Sequence, residues 1–239
     1  MNPKLLDSCL IDCRVQIGPC PGECNQCFYN HMPHEYRLKQ IIPTQQEASL
    51  KIVRMNAEHD SNHSKPLVIE TALKYQDSFF NTSHPDVQFP RPVVLTVNPR
   101  ETDEPRRWTR PRDLTGPESL NHLMFIRYRV SAANYIDCTS MAEEWASKGI
   151  TSVFTFMRYY DEQACPSINA YEKRKNFMHD CLQLKAKAKE QIMTYVLASL
   201  GPLVSFCGTL HSNLCKDCGN CEHYYYIAKR RMIELVIWR

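Results

Sequence analysis

Short runs of apolar residues, many of them β-branched or aromatic, recur along the chain and predict six strands. The clearest run is residues 92–97, where only Pro92 and Thr96 interrupt a series of valine and leucine. Runs of this kind, bounded by turn residues, are typical of buried strands. The six predicted strands cover residues 11–17, 49–55, 92–97, 123–130, 150–157 and 203–206.

Segments with apolar residues at roughly helical spacing separate the strands and predict helices. They cover residues 66–80, 134–147, 170–200 and 222–239, and residues 43–47 predict a helix start or a turn. Pro66 suits a first helical turn, Gly149 a C-cap, and Gly201 the end of a helix. Strands that alternate with helices predict an α/β fold with a parallel sheet, either open and doubly wound or a partial barrel. In both, the functional site lies at the carboxyl ends of the strands.

The composition is that of a water-soluble globular protein, with 43% hydrophobic and 23% charged residues among 239. The net charge of +3 is too small to indicate nucleic-acid binding by itself. Apolar runs are much shorter than the roughly 20 residues that a membrane helix needs. The first residues lack a signal-peptide pattern. We therefore expect a cytoplasmic protein that does not span a membrane.

Twelve cysteines in a chain of this kind indicate metal ligands rather than disulfides. Five of them lie between residues 9 and 27, and four lie between residues 207 and 221. Clusters of this kind are typical of zinc and iron–sulfur sites. The three isolated cysteines, Cys138, Cys165 and Cys181, are expected to be small buried apolar residues.

Cys20, Cys24 and Cys27 form a C-x3-C-x2-C motif directly after the first predicted strand. Three close thiolates can hold a 4Fe–4S cluster and leave one iron free for another ligand, whereas most such clusters take four cysteines. The motif and its position resemble the signature of the radical S-adenosylmethionine (SAM) superfamily. The resemblance implies a partial (β/α)6 barrel over residues 1–206 and a free iron that chelates the amino and carboxylate groups of SAM.

The resemblance also implies a reaction. In the superfamily, one electron from the cluster cleaves SAM to methionine and a 5′-deoxyadenosyl radical, which abstracts hydrogen from a substrate. The electron would come from an external donor such as flavodoxin or ferredoxin. The sequence does not identify the substrate.

One position departs from the superfamily pattern. The residue before the third cysteine is usually aromatic and lies near the adenine of SAM, but here it is Gln26. Phe28 and Tyr29 are the aromatic residues that could take its place. The competing interpretation of this loop is a zinc site. Its remaining ligands would come from Cys13, His31 and His34.

In the superfamily, the loop after the second strand and residues of the fourth strand bind SAM. The corresponding candidates here are His59, Asp60 and Ser61 in the loop, and Arg127, Arg129 and Ser131 along the fourth predicted strand. Asn98, just past the third predicted strand, is another candidate. The three loop residues offer acceptors for an ammonium, and arginine binds a carboxylate. The competing interpretation is an arginine ladder at the surface, paired with Glu or Asp.

A second motif, C-x2-C-x2-C at Cys215, Cys218 and Cys221, follows Cys207. It resembles ferredoxin-type ligation, and the four thiolates would complete a cluster with no free iron. The two motifs together resemble compact radical SAM proteins of phage and environmental genomes that carry C-terminal cysteines. We therefore predict an auxiliary 4Fe–4S cluster in a cysteine-rich, metal-binding extension of residues 207–239. A structural zinc ion would use the same four cysteines, so that alternative stays open.

Two other functions compete with a radical enzyme. A zinc-dependent module that binds nucleic acid or protein would use the basic residues at 185–189 and 229–231. An electron-transfer protein is less favoured, because a free iron gives such a protein no advantage. If the chain is an enzyme, the arginine-rich loop at 98–116 and Tyr159, Tyr160 and Asp161 are candidates for substrate contacts.

Overall fold

The computed structural model describes residues 2–18, 20–21, 26–31, 34–98, 110–114, 119–175, 180–212 and 214–237. Cys24 and most of the arginine-rich loop at 98–116 lie outside these ranges. The described chain is built on a seven-stranded sheet and a small three-stranded sheet, with helices packed against them.

The strands of both sheets alternate along the chain with helices and loops. In chain order they are β1 (Leu10–Cys13), β2 (Ile52–Met55), β3 (Ser78–Thr82), β4 (Val93–Val97), β5 (Leu123–Val130), β6 (Ser152–Phe156), β7 (Arg158–Tyr159), β8 (Tyr171–Arg174), β9 (Cys181–Leu184) and β10 (Val204–Phe206). The large sheet has the order β1-β2-β3-β4-β5-β6-β10, and all its neighbouring strands are parallel. The small sheet is antiparallel, with the order β7-β9-β8.

The helices range from single turns to five turns. In chain order they are α1 (His34–Arg37), α2 (Gln45–Ala48), α3 (Lys65–Leu73), α4 (Ser119–His122), α5 (Tyr135–Ala146), α6 (Ala186–Leu200), α7 (Cys215–Cys218) and α8 (Asn220–Ile237). Thr44 caps α2 with a capping box to Glu47, as expected for a helix start in this region. Within the described part of the chain, every helix is too short or too polar to cross a bilayer.

The chain crosses the large sheet in one direction, because the spatial order of the strands follows their order in the sequence. A doubly wound sheet reverses direction at a switch point, so that alternative is wrong. The carboxyl ends of all seven strands lie on the same side of the sheet. Its two outermost strands, each with one neighbour, are β1 and β10. The α/β class predicted from the sequence is confirmed.

Both faces of the large sheet carry apolar side chains. On one face, residues such as Val53, Leu95 and Phe154 pack in a large cluster with α3, α5 and α6. On the other face, one apolar side chain from each of six strands packs with Tyr225 of α8. These side chains are Leu10, Ile52, Phe79, Val94, Phe125 and Val153.

On this second face, a layer of polar side chains lies next to the apolar cluster, towards the carboxyl ends of the strands. In each of the six strands, the residue two positions after the apolar residue is polar. The six polar residues are Asp12, Arg54, Asn81, Thr96, Arg127 and Thr155. Side chains two positions apart in a strand share a face. The fold therefore brings six polar side chains together above an apolar floor, at the edge where a functional site is expected.

The prediction of six strands in the parallel sheet is wrong by one. Residues 66–80 were expected to form one helix, but α3 ends at Leu73 and the chain continues into β3. Residues 170–200 were also expected to be helical, but β8 and β9 precede α6. The other predicted strands and helices are present with shifted ends, and β5 has the predicted bounds.

Candidate functional site

A cavity of about 920 Å³ opens above the polar layer of the sheet, and both cysteine clusters line it. The lining cysteines are Cys9, Cys20, Cys27, Cys207, Cys215, Cys218 and Cys221. Polar-layer residues such as Arg54, Asn81 and Arg127 also face it. Two motifs separated by roughly 180 positions in the sequence therefore share one space. The isolated Cys138, Cys165 and Cys181 are buried elsewhere, as predicted.

Gln26 fixes the N-terminal cysteine loop to the sheet. Its side-chain oxygen accepts hydrogen bonds from the backbone N–H groups of Tyr160 (2.6 Å) and Asp161 (3.2 Å). Its backbone oxygen accepts a hydrogen bond from Arg129 (3.0 Å). Gln26 has a positive φ of 57° and is buried. The residue that departs from the superfamily pattern therefore joins the loop between Cys20 and Cys27 to β5 and to the end of β7.

A buried ion pair supports the chain around this loop. Arg14, directly after β1, pairs with Glu58, and both side chains are almost inaccessible to solvent. Tyr36 donates a hydrogen bond to the same carboxylate (2.9 Å). The Arg14 guanidinium also lies over the rings of Tyr29 and Tyr36. Buried charges need partners of this kind, but no local pattern in the sequence identifies Arg14 and Glu58 as a pair.

The two aromatic candidates of the loop have different positions. Tyr29 is fully buried, and its hydroxyl lies 3.2 Å from the carbonyl oxygen of Gly18 and 3.0 Å from that of Arg37. It lies outside the cavity lining, so it does not offer the exposed ring surface expected for an adenine contact. Phe28 lines the cavity and is 39% exposed.

His59 lies at the cavity with one ring nitrogen bonded and the other without a partner. Its Nε2 is 3.1 Å from the carbonyl oxygen of Gly18, and its ring meets Tyr29 edge to face. Its Nδ1 is buried and has no hydrogen-bond partner among the described residues. Burial lowers the pKa of His59 and favours the neutral ring. A neutral ring that donates from Nε2 leaves Nδ1 as a free acceptor.

Asp60 and Ser61 differ in what they offer to the cavity. Asp60 lines the cavity, but its carboxylate already accepts hydrogen bonds from the hydroxyl groups of Thr82 (2.7 Å) and Ser83 (2.8 Å). Ser61 is fully buried outside the lining, and its hydroxyl oxygen accepts a hydrogen bond from the backbone of Asn81 (3.3 Å). Ser61 therefore supports the loop and does not reach the cavity.

Arg127 and Arg129 of β5 both line the cavity. Arg127 donates to Asn81 (3.2 Å), and Arg129 donates to Asn98 (3.1 Å), which also lines the cavity. Neither arginine pairs with a carboxylate in the described ranges, so the alternative of a surface ladder paired with Glu or Asp is not supported. Ser131 lies outside the lining, where its hydroxyl accepts from the backbone N–H of Asn134 (3.2 Å).

The C-terminal cysteines come from β10, α7 and α8. Cys207 follows β10, Cys215 and Cys218 are the end residues of α7, and Cys221 lies in the first turn of α8. The Cys218 thiol donates to the backbone oxygen of Cys215 (3.7 Å). The neighbouring Cys218 thiol holds the pKa of Cys207 well below its usual value, and Cys207 raises that of Cys218. Burial raises the pKa of Cys221 to about 11.

No family model, characterised protein or solved structure matches this chain. In the described ranges, no three His, Cys, Asp or Glu side chains converge closely enough to hold one metal ion. Cys13, a ligand of the alternative zinc site, is buried on the opposite face of the sheet beside Tyr75.

The basic residues that favoured a nucleic-acid-binding module are largely used within the fold. Lys229 pairs with Asp77 (2.5 Å), and Arg231 donates to the backbone of Leu123. Lys185 donates to the backbone of Asn169, so at least one residue of each basic group is committed. These contacts weaken the case for a basic binding stripe.

Two further side chains line the cavity just after β6. Tyr160 lines it and stacks on His31, with 4.3 Å between ring centroids. Burial raises the pKa of Tyr160 to about 12, so its hydroxyl stays protonated near neutral pH. Arg158 also lines the cavity. Tyr160 was a candidate for substrate contact from the sequence, whereas Arg158 was not identified.

Proposed function

We propose that this protein is a radical SAM enzyme whose reaction takes place in the cavity shared by the two cysteine clusters. The observation that carries the proposal is that Cys20 and Cys27 open into this cavity at the carboxyl edge of a singly wound parallel sheet. We further propose that the sheet is the wall of a partial barrel, with its gap between β1 and β10. The chain would work in the cytoplasm with an external donor such as flavodoxin or ferredoxin.

The side chains around the cavity suit the groups of SAM. A guanidinium of Arg127 or Arg129 can bind a carboxylate, since neither has an acidic partner in the described chain. Phe28 offers an exposed apolar ring to an adenine. These side chains support SAM as the cofactor that the cysteine motif implies.

The cavity is large enough for a cofactor and a substrate together. Its volume of about 920 Å³ lies at the upper end of the range of roughly 300–1,000 Å³ for small-molecule sites. When bound, the three-cysteine 4Fe–4S cluster supplies the electron that cleaves SAM to methionine and a 5′-deoxyadenosyl radical. The chain's own residues orient the cofactor above the apolar floor, and Tyr160 lines the same space.

The C-terminal cysteines support a second metal centre in the same cavity. Cys207, Cys215, Cys218 and Cys221 all line the cavity and provide four sulfur ligands. We propose an auxiliary 4Fe–4S cluster at this position. A cubane binds each thiolate at a separate iron, so its ligands lie further apart than those of a single zinc ion. Zinc remains the alternative occupant.

The test of the enzyme is anaerobic incubation of the full chain with SAM and a strong reductant. We expect 5′-deoxyadenosine and methionine to form. Variants with Cys20→Ala, Cys24→Ala or Cys27→Ala should lose this product, whereas Cys138→Ala, a buried cysteine outside the cavity, should keep it. Equal 5′-deoxyadenosine from the loop variants and the parent chain would contradict the proposal.

Metal analysis after anaerobic purification tests the second centre. Two clusters require about eight iron and eight sulfide per chain, and one cluster requires about four. We expect the higher number, and about four iron in a chain that lacks Cys207, Cys215, Cys218 and Cys221. About one zinc with about four iron per chain would assign the C-terminal site to zinc.

A further inference from the structure

Three cationic side chains from separate parts of the chain surround the C-terminal cysteines. They are Lys4 in the 3-10 turn before β1, Arg54 on β2 and Arg127 on β5, and all three line the cavity with those cysteines. Phe125, two residues before Arg127 on the same face, packs in the apolar cluster that Cys207, Cys215 and Cys221 contact. Arg127 therefore lies on the same face of the sheet as this cluster, and its guanidinium carbon lies 5.6 Å from the centroid of the Phe125 ring.

The charge of these cations is only partly balanced by the chain. Arg54 pairs with Asp12 (2.7 Å). Lys4 and Arg127 have no carboxylate partner within the described ranges, and Arg127 donates to the neutral amide of Asn81. Lys4 is exposed at the cavity, and Arg127 is half-buried. A half-buried cation without an acidic partner favours an anion beside it.

The same cysteines lie between the two edge strands of the sheet. Cys207 follows β10, and α7 contacts the 3-10 turn Pro3–Leu5 that precedes β1. Lys216 of α7 also pairs with Asp7 (3.1 Å) in this segment. A group that binds Cys207 and Cys215 together would therefore link the chain after β10 to the chain before β1.

We propose that Lys4, Arg54 and Arg127 neutralise a metal–thiolate centre held by Cys207, Cys215, Cys218 and Cys221, and that this centre ties together the two edges of the sheet. The inference rests on the second metal centre proposed above and assigns Arg127 to it, which leaves Arg129 for the carboxylate of SAM. Four thiolates around one zinc ion or an oxidised cubane carry about two net negative charges, which Lys4 and Arg127 would help to offset.

Cys9 is a fifth thiol that lines the cavity. It lies before β1 and outside the C-terminal motif, so the ligand set proposed here is Cys207, Cys215, Cys218 and Cys221.

The test isolates the second centre in a full-length chain that carries Cys20→Ala, Cys24→Ala and Cys27→Ala. This chain is reconstituted anaerobically with iron and sulfide, or with zinc, and metal retention is measured against increasing EDTA. Arg127→Gln and Lys4→Gln should each weaken retention about tenfold, the lower end of the effect typical of groups around metal ligands. Arg127→Lys, which keeps the charge, should restore most of it. Arg129→Gln, on the same strand and face, is the matched control and should change retention little.

A second readout separates charge from folding. If the centre is iron–sulfur, Arg127→Gln should lower its reduction potential, because the lost cation stabilises the more negative reduced form. Equal retention and equal potential in the parent, Arg127→Gln and Lys4→Gln would overturn the inference while leaving the metal centre intact. If the chain with Cys20→Ala, Cys24→Ala and Cys27→Ala binds neither iron nor zinc, the second centre and this inference are both wrong. That result would leave the three-cysteine site untouched. Lys4→Gln tests the claim if Arg127→Gln does not fold.

Discussion

At the scale of single residues, the candidate site depends on side chains whose roles have no local signature. Gln26 breaks the superfamily pattern in the sequence, yet its side chain satisfies two backbone N–H groups at the far side of the cavity. Tyr29 and Ser61 were expected to face the cofactor, but both are buried outside the cavity lining. The chemical type of a residue could be identified from the sequence, whereas its direction depends on contacts with distant residues.

Gln26→Ala should loosen the N-terminal cysteine loop. The substitution leaves the N–H groups of Tyr160 and Asp161 without their acceptor, at a cost of about 1–3 kcal/mol in the free energy of unfolding. Urea denaturation of the metal-free chain measures this cost. Iron uptake at the three-cysteine site should also fall. Gln45→Ala, which removes an exposed glutamine far from the loop, is the control and should change neither quantity. A Gln26→Ala variant that is as stable as the parent and has full iron content would show that the loop does not need these hydrogen bonds.

His59 should make stability depend on pH. Its pKa is lowered in the folded chain, chiefly by burial, so the unfolded chain binds a proton at His59 at a higher pH than the folded chain does. The stability from the neutral ring is therefore complete above the ordinary histidine pKa of about 6.5 and is lost as the pH falls below it. His59→Gln should flatten this dependence between about pH 6.5 and pH 5. Urea denaturation at several pH values in that range, with pH 8 as the reference, measures the free energy of unfolding of both chains. An equal loss of stability with falling pH in the parent and in His59→Gln would contradict the prediction.

At the scale of secondary structure, the sequence pattern predicted long and uniform elements well and short ones poorly. β5 and α5 are strongly patterned, and their bounds agree with the prediction to within one residue at each end. β3 has only five residues, and its phenylalanines also fit the apolar positions of a helix. β8 and β9 are strands of four residues, and Lys173 and Arg174 of β8 are exposed on a small sheet. Their partners in the sheet, and not their local composition, determine their conformation.

Tyr225→Phe should show how α8 is held against the sheet. Tyr225 is fully buried, and its hydroxyl donates to the carboxylate of Asp77 (2.8 Å), just before β3. Loss of a hydrogen bond to a charged group costs about 1.5–3 kcal/mol. Tyr226→Phe is the matched control, because Tyr226 is the next residue on α8 and is 50% exposed. Chemical denaturation should show a lower free energy of unfolding for Tyr225→Phe and little change for Tyr226→Phe. Equal stability of the two variants would rule out this anchor.

At the scale of the whole molecule, the order of the strands explains why the two cysteine motifs meet. The chain crosses the sheet once in a single direction, so its first and last strands become the two edges. The N-terminal loop follows β1, and the C-terminal cysteines follow β10. All strands of the parallel sheet end on the same side, so the segments that follow β1 and β10 both lie there and line one cavity. The spacing within each motif was readable from the sequence, but their shared cavity follows only from this topology.

Metal binding at the C-terminal cysteines should therefore stabilise both edges of the sheet at once. β1 and β10 each have one neighbour, whereas β4 and β5 lie inside the sheet with a neighbour on both sides. Edge strands open locally at lower cost than central strands, so a link between the edges should slow amide exchange mainly there. We expect hydrogen exchange measured by mass spectrometry to slow in peptides that contain β1 and β10 when the loaded chain is compared with the EDTA-treated chain. Peptides from β4 and β5 should change little. In a Cys207→Ala chain the protection of β1 should disappear together with that of β10, because the link needs Cys207. Slower exchange confined to α7 and α8 would show that the metal stabilises only the segment that contains its ligands and does not link β1 to β10.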